Sequence, residues 1–197
     1  MIRKHKKLNK IAIFSITKNY CMGVGSTLAV RCKEDLQFFK GVTEECFVMM
    51  GANTMESLPN KLPNRYSVAV SRNPSKYIPN GKVDEVLPFD MAMIESIASS
   101  YYSDKQDPFV HDDIFVIGGP TLIDQLAWEL DSFIITEFDV VVEPPEGGVF
   151  FNPYQYHLND ETKFTKTVMK DQQVPVRLYD GTTDTVGMRI IMYMRKN

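Results

Sequence analysis

Ile114-Phe115-Val116-Ile117-Gly118-Gly119-Pro120 reads as a buried strand that stops at two glycines and turns into a helix. Consecutive apolar residues, mostly β-branched, leave neither strand face for water, as in a parallel sheet covered on both sides. Pro120 suits a first helical position, where no N–H is needed, and Leu122 to Leu130 continues at helical spacing. The same unit recurs upstream. Ile11-Ala12-Ile13-Phe14-Ser15-Ile16 is a buried strand, followed by a polar, Gly-containing stretch from Thr17 to Arg31 and a helix from Lys33 to Thr43. Cys46 to Met50 is a strand ended by Gly51, and Asn53 to Leu58 a short helix stopped by Pro59. Tyr66 to Ser71 and, more weakly, Val83 to Leu87 are strands; Met91 to Tyr102 is a helix and Ser103 to Asp112 a polar connector.

Downstream, Ser132 to Phe138 is again a strand, but Thr162 to Met169 and Met188 to Met194 have no helix between them and predict a closing antiparallel pair. The fold class expected is α/β: a three-layer sandwich with a mostly parallel central sheet and an antiparallel C-terminal strand pair. A length of 197 residues suits one domain spanning 1–197, with 1–9 as a basic tail. There is no internal repeat and no low-complexity tract.

Composition narrows the function classes. The chain is 44% hydrophobic and 24% charged, with a formal net charge of −3, which argues against a general nucleic-acid binder. Cys21, Cys32 and Cys46 are an odd set without CxxC spacing, which suits a reducing compartment and neither a disulfide framework nor a zinc site. No apolar run reaches the ~18 residues of a membrane span. The location expected is cytoplasmic. His111-Asp112-Asp113 lacks the partners for a metal site, and Trp128 and the methionines are expected to serve packing.

Three features could carry chemistry. Asp35, Phe39 and Thr43 are four apart on the helix Lys33–Thr43 and share a side, so Asp35 borders an apolar stripe where an unpaired charge is costly. Equally, a carboxylate in a first turn complements the helix dipole. Gly118-Gly119-Pro120 would bring bare backbone close to a ligand, with a helix N-terminus behind it for a phosphate, or else form only a tight turn. Arg65, after Leu62-Pro63-Asn64, could fork onto a carboxylate or be a surface arginine.

Order and spacing decide among these alternatives. Cys21 to Thr43 reads CMGVGSTLAVRCKEDLQFFKGVT, in which Gly23, Leu28, Asp35, Phe39 and Thr43 occupy the signature places of dihydrofolate reductases. Val48 to Leu58 resembles that family's strand, Gly-x-x-Thr turn and short helix. Leu62-Pro63-Asn64-Arg65 resembles its Leu-Pro-Gly-Arg, Ile114 to Gly119 its Val-Ile-Gly-Gly strand, and Ile135-Thr136 the strand after it. The Gly-Ala-x-Thr and Ser-Leu-Pro variants resemble phage-encoded members, which would place the protein in the host cytoplasm.

The resemblance implies NADPH-dependent reduction of dihydrofolate, with antifolates as inhibitors. It implies that Asp35 holds the pterin's 2-amino group and adjacent ring nitrogen, and that Thr136 hydrogen-bonds Asp35. Phe39 and Leu58 would sandwich the substrate, Arg65 would clamp its glutamate α-carboxylate, and Ile13, Phe14, Leu28 and Ile117 would line the pterin and nicotinamide pockets. Gly23, Gly51, Thr54, Gly118, Gly119 and Thr121 would hold NADPH, with Ser71 and Arg72 at the adenosine 2′-phosphate. No partner beyond small molecules is implied, and the oligomeric state stays open between monomer and homodimer.

Three departures stand out. The family's Pro-Trp is Ala29-Val30 here, removing an indole beside Asp35. The Arg that commonly follows the Gly of Gly-x-x-Thr is Ala52, and Pro144-Pro145-Glu146-Gly147-Gly148 is longer than the usual acidic-glycine loop. They keep two other readings open: a non-catalytic or structural protein of the same fold, and a related NADPH-dependent pyrimidine reductase.

Overall fold

The computed structural model describes residues 8–77, 81–105 and 112–196. In chain order the strands are β1 (Asn9–Thr17), β2 (Cys21–Val24), β3 (Thr27–Leu28), β4 (Val30–Arg31), β5 (Phe47–Gly51), β6 (Tyr66–Val70), β7 (Glu85–Leu87), β8 (Asp113–Val116), β9 (Ser132–Phe138), β10 (Gly148–Phe150), β11 (Phe164–Leu178) and β12 (Thr183–Arg195). The helices are α1 (Lys33–Thr43), α2 (Ala52–Ser57), α3 (Met91–Asp104) and α4 (Pro120–Leu126).

Nine strands form the main sheet in the order β4-β11-β12-β9-β1-β8-β5-β6-β7. The run β9-β1-β8-β5-β6-β7 is parallel throughout, and within it β1, β5, β8 and β9 are the segments whose apolar runs announce burial on both faces. The hairpin β11–β12 joins antiparallel through β12 against β9, the expected closing pair. Its strands run farther than their apolar content suggests, because most of Thr165–Gln173 is exposed and held by backbone pairing to β12. A small sheet, β10-β2-β3, arises inside the stretch read as polar and irregular.

Helices cover both faces. The core on one side gathers Ile94, Ala98 and Tyr102 of α3 and Leu122, Ile123 and Leu126 of α4 against Phe14, Phe47, Met49 and Val116. The Tyr102 hydroxyl, buried there, accepts from the Phe47 N–H at 2.8 Å and donates to the Asp113 carbonyl at 2.5 Å. Both needs of a buried phenol are thus met, tying α3 to two parallel strands. The other side gathers Ile13, Val30, Met50, Met55, Phe115 and Ile134, with Phe38, Phe39 and Val42 of α1 packed on it.

Several sequence expectations need correction here. The basic tail assigned to residues 1–9 lies outside the described residues as far as Lys7, but Asn9 already stands in β1, its amide donating to Asp113 at 2.8 Å. The connector expected at Ser103 to Asp112 is in part the end of α3, and its residues 106–111, His111 among them, lie outside the described residues. The helix expected over Leu122 to Leu130 is Pro120–Leu126. Trp128 is 62% exposed and meets Tyr156 edge-on, so it is a surface residue and not core packing. Among the described residues no helix is long and apolar enough to cross a membrane, and no group of three His, Cys, Asp or Glu could hold a metal.

Candidate active site

Asp35 reaches the sheet from the first turn of α1. Thr136, on β9, donates from Oγ1 to Asp35 Oδ1 at 2.6 Å. Desolvation pushes the Asp35 carboxyl above the usual carboxylate range, and the Thr136 bond, which favours the charged form, partly offsets this. Val30 and Ala29, each 2% exposed, pack nearby in the same layer and have no side-chain donor to add. Thr136 is therefore the carboxylate's one side-chain hydrogen-bond partner among the described residues.

Of α1's residues only Thr43 is fully buried, so the inward side chains Asp35, Phe38 and Phe39 remain partly accessible. The helix thus bounds a cleft against the sheet. Phe39, Leu58 and Ile117 are half-buried and pack on the cluster that holds Ile13 and Val30. Leu28, on β3, is 41% exposed. Phe14 is placed differently from the expectation: strand alternation turns it to the opposite layer, where it meets Phe151 edge-on at 5.6 Å. Its side chain does not share Ile13's face.

Arg65 stands at the far end of the cleft, 7% exposed. Its Nε donates to Thr43 Oγ1 at 2.8 Å, and its terminal nitrogens to the carbonyls of Pro63 at 2.7 Å and Lys40 at 3.0 Å. Thr43 in turn donates to the Phe39 carbonyl at 2.7 Å, and the guanidinium carbon lies 5.7 Å from the Phe39 ring centroid. A guanidinium has five N–H groups, so one on each terminal nitrogen has no acceptor among these bonds. The sequence marks Thr43 by its spacing but does not by itself assign it this part. The signal was the Phe39–Thr43 interval, which sets the hydroxyl under the last helical turn.

A second group of residues lies at the C-terminal ends of the parallel strands, where α/β sheets receive ligands. The Gly51 N–H donates to the Gly118 carbonyl at 3.2 Å, joining the ends of β5 and β8. Gly118 and Gly119 have φ of 145° and 82°. A Cβ on Gly118 would lie 3.2 Å from Thr54 Cγ2, a tight contact, in a backbone conformation that side chains rarely adopt. Thr121 is exposed in α4; Ser71 and Arg72 follow β6, with Arg72 exposed. Ala52 opens α2 and contributes no charge. Bare backbone at two strand ends plus an exposed arginine at a third suits a long phosphorylated ligand laid across them.

Gly23 sits on β2 opposite Leu28, where a Cβ would fall 2.6 Å from the Thr27 carbonyl. It therefore serves the tightness of the β2–β3 hairpin. The Gly25 N–H donates to the Gly147 carbonyl at 2.8 Å, linking this hairpin to the Pro144–Gly148 loop.

The family model for dihydrofolate reductase matches residues 10–180. The chain belongs to the dihydrofolate reductase family. Among the family's proteins it is 32% identical over 124 residues to dihydrofolate reductase type 9 of Escherichia coli, covering 63% of this chain and 67% of that one. It is 25% identical over 169 residues to dihydrofolate reductase of Buchnera aphidicola, covering 85% and 94%. A solved dihydrofolate reductase from Enterococcus faecalis, complexed with NADP(H) and RAB-propyl, superposes with a TM-score of 0.62 over 96% of this chain and 97% of its own, at 19% identity. That likeness establishes the dihydrofolate-reductase-like fold.

Proposed function

We propose that the protein reduces 7,8-dihydrofolate to tetrahydrofolate with NADPH, and that Asp35 is the residue that holds the pterin. The observation that carries this reading is the part-buried Asp35 carboxylate, whose one side-chain partner among the described residues is Thr136, in a family whose substrate has amine and N–H groups to present to it. Gly51, Thr54, Gly118, Gly119 and Thr121, with Ser71 and Arg72, would hold NADPH at the ends of β5, β6 and β8, and when bound it would supply the hydride for the pterin.

The residues' tasks follow from their places. Asp35 accepts from the pterin's 2-amino group and ring nitrogen, which replaces solvation lost on burial and fixes the ring in register. Its negative charge favours protonation at N5, which lies away from the carboxylate, so the proton arrives through water. Thr136 positions the carboxylate. Ile13, Leu28, Phe39, Leu58 and Ile117 exclude bulk water around the ring, and Arg65 offers its two uncommitted N–H groups to the glutamate α-carboxylate. Gly51, Thr54, Gly118, Gly119 and Thr121 admit the cofactor's phosphates, with Ser71 and Arg72 at the 2′-phosphate and Gly23 shaping the hairpin beside them. Antifolates that copy the pterin's donor edge bind the same carboxylate. One domain spans the chain, and its setting is the cytoplasm.

Val30 cannot hold a bridging water as an indole N–H would, so Asp35's share in orienting exceeds its share in delivering the proton. The test is to mix purified protein with NADPH and dihydrofolate and quantify tetrahydrofolate. Stoichiometric conversion is expected. NADPH binding without conversion, together with failure to bind methotrexate, would contradict the reading.

A further inference from the structure

Every side chain of β1 from Ile11 to Thr17 is buried except Ser15, which is half-buried. Strand alternation puts Ser15 on the face of Ile13, toward the cleft, and turns Phe14 and Ile16 to the other layer. In the parallel pairing of β1 with β9, Ser15 stands directly beside Thr136, about 4.8 Å away across the ladder. On this strand the cleft therefore reaches the sheet at one hydroxyl, next to the hydroxyl that holds Asp35.

The neighbouring hydroxyls are committed. Thr136 donates to Asp35 Oδ1 at 2.6 Å. Thr17, next on the same face of β1, donates to Asn19 Oδ1 at 2.7 Å and accepts from the Cys21 N–H at 3.0 Å. The Ser15 hydroxyl makes no hydrogen bond with a described residue, so its donor and acceptor sites serve what occupies the cleft.

Sheet order sets Ser15 between the two halves of the site. β1 lies between β9, where Thr136 fixes Asp35, and β8, which leads into Gly118 and Gly119. In the function proposed above, on which this inference rests, the pterin is anchored at Asp35 and its C6–N5 bond faces the cofactor at those glycines. The reacting bond then lies over β1, and the β1 side chain level with Thr136 is Ser15.

We propose that Ser15 is a positioning residue for the protonation step: its hydroxyl holds the water that gives N5 its proton. The C6–N5 double bond gains a hydride at C6 and a proton at N5, and the water that gave the proton regains one from solvent. The Ser15 oxygen accepts the water's other hydrogen and ends the step unchanged. Val30 has no group to hold such a water, and the serine takes that task.

The test measures Kd by calorimetry, without NADPH so that nothing turns over, for 7,8-dihydrofolate and for its 5-deaza counterpart, in which N5 is a CH group. The natural chain is compared with Ser15→Ala, and Ser15→Thr with Ser15→Val, a pair of equal shape that differs only in the hydroxyl. A water-mediated hydrogen bond is nearly as good as a direct one, so the natural chain is expected to bind the N5 ligand about fivefold more tightly. Ser15→Ala and Ser15→Val lose that preference, Ser15→Thr keeps it, and Kd for the 5-deaza ligand is the same in the natural chain and Ser15→Ala. Disturbed packing would instead weaken both ligands alike. Equal Kd for the two ligands in the natural chain, a preference that survives in Ser15→Ala or Ser15→Val, or binding of neither ligand would overturn the proposal. Turnover with NADPH is scored separately. An N5 preference that needs the hydroxyl, without turnover, faults the catalytic reading and leaves Ser15's water site standing; turnover with equal Kd values faults Ser15 alone.

Discussion

Thr136 Oγ1 donates to Asp35 Oδ1 at 2.6 Å across a sequence separation of 101 residues, joining the central sheet to the first turn of α1. That bond favours the ionised carboxylate, while burial favours the neutral one. Thr136→Val keeps the shape and removes the donor. The inflection governed by Asp35 in the pH profile of kcat/KM is expected to move to higher pH. Stability should fall by about 1–2 kcal/mol, the usual cost of leaving a buried acceptor unpaired. An inflection that stays put or moves to lower pH would show that Thr136 does not tune Asp35.

The raised Asp35 pKa also has a sign in stability. The folded state holds the proton more tightly than the unfolded chain, whose aspartate titrates near ~3.9. The protonated group's contribution is therefore fully present below that value and is lost as pH rises through the higher folded pKa. Asp35→Asn removes this loss and keeps an acceptor for Thr136. Its melting temperature should match the natural chain's in acid and exceed it near neutrality. A difference that is constant with pH, or that favours aspartate at neutral pH, would refute the assignment of desolvation as the dominant cause.

Thr43 holds Arg65 through Nε, so it governs how the guanidinium presents its remaining donors. Thr43→Val is expected to raise KM for dihydrofolate about tenfold with little change in kcat, and to cost ~1.5–3 kcal/mol of stability, as for a lost hydrogen bond to a charged group. Thr43→Ser restores both. A dihydropterin without the glutamate tail gives the control, since its KM should not respond. Equal losses on both substrates would mean that Thr43 is only structural.

Gly118 and Gly119 adopt φ values that side chains rarely tolerate. Gly119→Ala should cost about 1–3 kcal/mol in stability and raise the KM for NADPH more than that for dihydrofolate. Calorimetry and initial rates with each substrate varied in turn check this. A selective effect on dihydrofolate would move the cofactor away from these strand ends.

Much of this was legible in the sequence, for identifiable reasons. β1, β5, β8 and β9 are buried on both faces, and continuous apolar runs declare such strands without any need for register. Asp35 was legible through the spacing of Gly23, Phe39 and Thr43 around it, and less so by its helix position, where Glu34 next door has an equal claim on the dipole. The hairpin β11–β12 extends beyond the expected strand ending at Met169 because residues 170–173 are polar, exposed and held by main-chain bonds that leave no hydrophobic period. Phe14 was misplaced because its neighbour Ile13 faces the cleft, and a strand cannot turn both side chains to one side. The clamp around Arg65 depends on carbonyls of Lys40 and Pro63, which any residue could supply and no pattern reveals.

The most direct test of the central claim is to compare the natural chain and Asp35→Asn in NADPH-driven reduction of dihydrofolate, following cofactor oxidation while confirming by calorimetry that both are folded and bind NADPH. A positioned acid–base group typically contributes 10²–10⁴-fold, so the variant's kcat/KM should fall by roughly that factor with cofactor binding intact. Equal turnover by the folded variant would contradict the account.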